Sequence, residues 1–75
     1  MKELVEIIAK SLVDNPSEVK VNEVVKEDTT VLQLSVGEGD MGKVIGKQGK
    51  IARAIRTVVK AAAIKENKKV AVEII

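Results

Sequence analysis

The stretch Val44-Ile45-Gly46-Lys47-Gln48-Gly49-Lys50-Ile51 constrains this chain more than any other. Two glycines three positions apart enclose two polar residues, with aliphatic side chains on either side. Glycine reaches backbone conformations closed to other residues, so the pair predicts a tight turn. Its flanks carry helix signals. Asp40 suits the N-cap of a short helix over 41–45. Gly46 suits the left-handed residue that ends one. Gly49 opens a longer helix over 49–65, on which Ile51, Ile55, Val58, Val59 and Ala62 share one arc, expected to face a sheet. Lys50, Arg53, Arg56 and Lys60 lie on the opposite arc, and Ala54, Thr57 and Ala61 form a seam of small residues between the two.

The rest of the chain supplies elements for that loop to rest on. Leu4, Ile8 and Leu12 recur every four residues, with Val5 and Ile7 beside them, and predict a helix over 2–13. Asn15-Pro16 stops it, because a residue before proline is pushed out of helical geometry. Residues 18–26 read as a strand with Val19, Val21 and Val25 on one face, interrupted by Glu23. Residues 29–36 read as a second strand, with Thr30, Leu32, Leu34 and Val36 facing one way and Val31, Gln33 and Ser35 the other. The short polar link at 26–28 makes the two an antiparallel hairpin. Residues 69–75 form the last strand, with Val70, Val72 and Ile74 inward. The order is α-β-β-α-α-β, an α+β fold with helices on one face of a three-stranded sheet. The helix pair before the last strand makes a crossover, so that strand is expected parallel to a neighbour and the sheet mixed. No repeat or linker interrupts the 75 residues, which read as one domain over 1–75.

Composition removes several classes of function. A chain of this length has one thin core and no room for a deep enclosed pocket. It has no aromatic residue, so stacking of bases on Phe, Tyr or Trp is excluded. Without cysteine there is no disulfide and no thiolate metal site, and without histidine the usual near-neutral acid–base group is missing. The serines and threonines have no histidine base, and no carboxylate pair or metal-ligand spacing accompanies the glycine-rich turn, so neither an enzyme nor a metal site is expected. Neither G-x-G-x-x-G nor G-x-x-x-x-G-K-[ST] occurs, which leaves nucleotide cofactors unsupported. No apolar run is long enough to span a membrane, and acids at Glu3 and Glu6 do not suit a targeting peptide. A cytoplasmic protein is expected.

Charge is unevenly placed. The first 38 residues hold four lysines against eight acids, and the last 37 hold nine Lys and Arg against three acids. Between Met41 and Lys65 there is no acid, while Lys43, Lys47, Lys50, Arg53, Arg56, Lys60 and Lys65 are basic. A one-sided basic field on a small chain is the electrostatic footprint of a nucleic-acid binder. The glycine pair sits inside that field. Gly46 and Gly49 let the backbone come close to a sugar–phosphate chain, the amides opening the next helix point there, and Lys47, Lys43 and Lys50 add charge.

These residues resemble the signature of the KH domain, in which a G-x-x-G loop clamps about four single-stranded nucleotides. The element order resembles the type II, prokaryotic form, over the whole chain. The run from Val44 to Ala63 is more specifically similar to a family of small bacterial single-KH proteins. The resemblance implies a cytoplasmic, chaperone-like RNA-binding protein. It also implies self-association into a homodimer, pairing with a larger KH-containing partner of the Jag type, and a link to cell division and cell-wall growth. By position, Gly46, Lys47, Gln48 and Gly49 would hold the RNA backbone, and Ile45 and Ile51 would anchor the loop and line a shallow groove. The second strand around Leu32–Val36, with Leu34 at its centre, would form the opposite wall and read base edges. Lys43, Lys50 and Arg53 would add phosphate contacts. Two other readings remain open on the residues themselves: a protein-docking or dimerisation module using the Ala54–Thr57–Ala61 seam, and a binder of single-stranded DNA.

Overall fold

The computed structural model describes all 75 residues, Met1–Ile75. The elements run α1 (Lys2–Leu12), β1 (Lys20–Lys26), β2 (Thr29–Ser35), α2 (Met41–Ile45), α3 (Lys50–Lys65) and β3 (Lys69–Ile74). Short 3-10 turns precede β1, α2 and α3. The mixed sheet has the order β1-β2-β3. β1 pairs antiparallel with β2 from Lys20↔Ser35 to Lys26↔Thr29, closing through Glu27-Asp28. β3 runs parallel to β2 from Thr29↔Lys69 to Leu34↔Ile74. The expected order, the crossover and the helix-covered single face are all present.

The core joins Val5 and Ala9 of α1, Val13, Val19, Val21 of β1, Leu32 and Leu34 of β2, Val44 of α2, Ile55 and Val59 of α3, and Val72 of β3. Two helical faces differ from expectation by one row. On α1 the buried residues are Val5 and Ala9, flanked by half-buried Leu4 and Ile8, while Ile7 and Leu12 are exposed. On α3 they are Ala52, Ile55, Val59 and Ala63, and Val58 is 47% exposed. The reason is shared. Each helix presents alanine to its closest neighbours, because a small side chain lets the backbones approach, and the bulkier row is displaced to the flank.

The first strand is shorter than expected. Pro16–Glu18 is a 3-10 turn, in which Glu18 N–H bonds the Asn15 carbonyl and Val19 N–H the Pro16 carbonyl. Those amides are therefore unavailable to a strand ladder. Val25 has the inward parity of Val21 but lies one row from the end of the edge strand and stays exposed. Val31 is buried although it faces outward, because the central strand flanks it with Val24 on one side and Ala71 on the other. No helix is long and apolar enough to cross a membrane.

Candidate nucleic-acid interface

α2 is only five residues long, and its C-terminal end delivers the glycine loop. Gly46 N–H bonds the Gly42 carbonyl at 2.9 Å and closes the helix. Gly46 itself has φ 76° and ψ 174°. This is not the left-handed helical conformation expected of a cap but an extended, positive-φ one that only glycine adopts readily. Gln48 (φ 59°, ψ 25°) and Gly49 (φ 75°, ψ 15°) follow in the left-handed region, so the chain reverses within four residues. Gly49 N–H bonds the Gly46 carbonyl at 3.1 Å, and Lys50 N–H bonds the Lys47 carbonyl. Two of the amides expected to be free are therefore used inside the turn.

The glycines do different work. A Cβ on Gly46 would lie 2.5 Å from Cγ1 of Ile51, so the absent side chain is what allows α3 to fold back on the loop. A Cβ on Gly49 would meet nothing within 4 Å. That side of the turn opens to solvent, next to the exposed side chains of Lys47, Gln48, Lys50 and Arg53. None of Lys47, Lys50 and Arg53 takes part in an ion pair. Ile51 is half-buried against Gly46, and Ile45 is 37% exposed while its neighbour Val44 is fully buried.

Two expected site residues are placed differently. Leu34 is 0% exposed and belongs to the core, so it offers a ligand no surface. Leu32 is equally buried, and Gln33 and Ser35 lie on the opposite face of the sheet from these two leucines, away from the helices. The side chains of Leu32 and Leu34 therefore support the site from beneath. Lys43 is turned toward acids. It pairs with Asp14 and lies 3.6 Å from Oδ1 of Asp40. The Asp14 carboxylate, acting as acceptor, raises the Lys43 pKa against a desolvation that lowers it.

Asp40 marks what sequence reasoning missed. It stands at the N-cap position of α2 but caps nothing with its side chain. Its carboxylate accepts the backbone N–H of Asp14 at 3.2 Å and of Asn15 at 3.0 Å, where the chain leaves α1. The Asp14 amide lowers the pKa of this carboxylate, burial opposes, and the Asn15 amide and Lys43 reinforce the lowering. The partners lie 25 and 26 positions away in sequence, and no local pattern signals them. Arg56, expected on the solvated arc, donates from Nε to the Val72 carbonyl at 3.2 Å and so covers part of the free edge of β3.

Beside the loop, an open apolar groove of about 400 Å³ runs between α1 and α3. Ile8 and Leu12 form one side and Ile51, Ala54, Ile55 and Val58 the other, with Lys50 at the loop end. The Ala54–Thr57–Ala61 seam is exposed, and Thr57 Oγ1 donates to the Arg53 carbonyl at 2.9 Å.

The family model described as KhpA/KhpB, KH domain, matches residues 2–74. The RNA-binding protein KhpA of Clostridium perfringens is 76% identical over 75 residues, covering both chains completely. The protein of the same name from Clostridium acetobutylicum is 68% identical, again over the full length of both. That of Aquifex aeolicus is 49% identical over all of this chain and 95% of its own. Among solved structures, a variant of Aquifex aeolicus Era bound to GDP.AlF4- superposes with a TM-score of 0.63 at 21% identity, over 97% of this chain and 28% of the Era chain. That likeness is one of fold. The matched family model and the full-length relatives place this chain in the KhpA/KhpB family of KH-domain proteins.

Proposed function

We propose that this protein binds single-stranded RNA, holding the sugar–phosphate chain against Gly46-Lys47-Gln48-Gly49. The observation that carries the reading is a backbone reversal held by Gly46 and Gly49, open on the Gly49 side and surrounded by cations without ion-pair partners. Names of relatives at 76% and 68% identity support RNA as the ligand. Lys47, Lys50 and Arg53 meet phosphates, and Lys43 joins them only by leaving Asp14. Ile45 and Ile51 offer bases a small aliphatic platform. With no aromatic to stack on, base discrimination is loose and affinity leans on charge. Such binding suits a chaperone-like role on cytoplasmic RNA, and the family resemblance extends it to regulation of cell division and cell-wall growth.

Fluorescence anisotropy on a labelled RNA oligomer tests the reading. Lys47→Asp combined with Gln48→Asp abolishes binding while circular dichroism stays unchanged. For the wild type, log K falls against log salt with a slope of about −2, as three phosphate contacts on a single strand require. Unchanged affinity in the double variant would refute the loop as the site. Competition between RNA and DNA oligomers of one sequence decides whether the 2′-OH is read.

The groove between α1 and α3 supports a second, compatible reading. Exposed Leu12 and Val58 beside Ala54 suit a protein contact, either with a second copy or with a larger KH-containing partner of the Jag type. Light scattering of the wild type and Val58→Asp distinguishes them. A wild-type homodimer that the variant dissolves supports self-association, and a wild-type monomer leaves the heterologous partner.

A further inference from the structure

The junction between α1 and α2 carries a buried carboxylate whose partners all lie upstream of the glycine loop. We infer that Asp40 is a positioning residue for the RNA-binding loop, clasping the start of α2 to the end of α1 so that Gly46 is presented at a fixed place beside α3. The inference rests on the reading of the loop as the RNA site.

A five-residue helix such as α2 has little stability of its own, so its orientation must be imposed from outside. Two fixations are visible. Val44 is fully buried in the core and acts as a pivot. Asp40, 4% exposed, holds the other end through the Asp14 and Asn15 amides, with Lys43 one turn further on. At 1.5 Å per residue Gly46 lies about 3 Å beyond the Val44 pivot, so a tilt of about 20° moves it by about 1 Å. A binding loop tolerates about half that displacement before its contacts are lost. The direction is constrained as well. Gly46 already sits where a single Cβ would collide with Ile51, so the loop and α3 meet without slack.

Asp40 touches no ligand in this scheme, which separates its signature from that of the loop cations. The test uses Asp40→Asn, which keeps the shape but sets an NH2 donor in place of one of the two acceptor oxygens, opposite an amide N–H, and removes the charge facing Lys43. A second variant, Asp40→Ser, keeps one short acceptor and disturbs the fold less. At a temperature where circular dichroism shows each variant folded, RNA affinity falls by about tenfold for Asn and less for Ser. The slope of log K against log salt stays at the wild-type value, because no phosphate contact has been deleted. In the free protein, the ¹H–¹⁵N peaks of Gly46, Lys47, Gln48 and Gly49 are displaced. A merely structural role would lower the denaturation midpoint and leave the affinity of the folded protein and the loop peaks alone. Wild-type affinity or wild-type loop peaks in a folded Asp40 variant overturn the inference. If the wild type itself fails to bind RNA, the RNA reading falls, and the loop peaks alone decide whether Asp40 places the loop.

Discussion

The two ends of α3 make a comparison. Each is a reversal of the chain that uses positive φ, and each gathers basic residues. At the far end Glu27 (φ 55°) and Asn67 (φ 57°) make the turns, and the two cations after the turn are occupied: Lys69 lies 2.9 Å from Asp28 and Lys68 3.4 Å from Glu66. Asn67 and Lys68 donate to the Ile64 and Ala63 carbonyls, a common way to finish a helix. At the near end glycines turn the chain, and Lys47, Lys50 and Arg53 have no acid partner. A left-handed residue alone therefore makes a turn. A site needs, in addition, room beside the backbone and charge that has not been neutralised.

Charge reversal should separate the ends most strongly. Lys47→Asp with Gln48→Asp lowers RNA affinity by at least about 100-fold, whereas Lys68→Asp with Lys69→Asp changes it by less than about threefold, a remote effect of net charge alone. Anisotropy measured at one salt concentration checks both. Comparable losses would mean that RNA follows the whole basic field and not the loop.

Stability should separate them next. Gly46→Ala combines a forbidden backbone conformation with the collision against Ile51 and costs about 3 kcal/mol. Gly49→Ala carries the left-handed penalty alone, about 1–2 kcal/mol, with open space for its methyl group. Asn67→Gly at the far end stays within about 0.5 kcal/mol of wild type, since asparagine already tolerates that conformation. Urea denaturation of the three variants gives the order.

Acid gives the smallest difference. Asp40 is held below its usual value of 3.8, first by the Asp14 amide, and Asp28 is held below it chiefly by Lys69. A carboxylate with a depressed native pKa contributes stability that is complete above the unfolded value and is lost as pH falls through the native one. Wild-type stability therefore falls below about pH 4. Asp40→Asn flattens that fall more than Asp28→Asn, because the Asp40 carboxylate is buried and bonded to two amides while Asp28 is exposed. Lys43 behaves in the opposite sense. With its pKa raised by Asp14, its contribution is complete below 10.5 and is lost only at higher pH. Urea midpoints across both limbs measure these effects.

Much of this was legible in the residues. The loop could be read because Gly46 and Gly49 are required by backbone conformation, and conformational demand is local. The parallel pairing of β3 followed from the crossover. The phase of each helix did not, because Leu4-Ile8-Leu12 and Val5-Ala9 are both four-residue rows, and only close approach to the sheet selects the row containing alanine. Leu34 was assigned to the wall of the groove by the family resemblance; alternation places it on the helix side but does not say that the helices cover it completely. Asp40 was read as a helix cap because its neighbours in sequence suit one. Its actual partners, Asp14 and Asn15, are brought there by tertiary folding. Arg56 and the Val72 carbonyl meet for the same reason.

The account turns on where RNA touches the molecule, and titration of ¹⁵N-labelled protein with a short single-stranded RNA shows that directly. The largest amide shifts are expected at Gly46, Lys47, Gln48, Gly49 and Lys50, with smaller ones at Ile51 and Arg53 and none at Asp28, Asn67 or Lys69. Shifts centred on the Asp28–Lys69 end, or on Gln33 and Glu73 of the outer sheet face, with a silent loop, would contradict it.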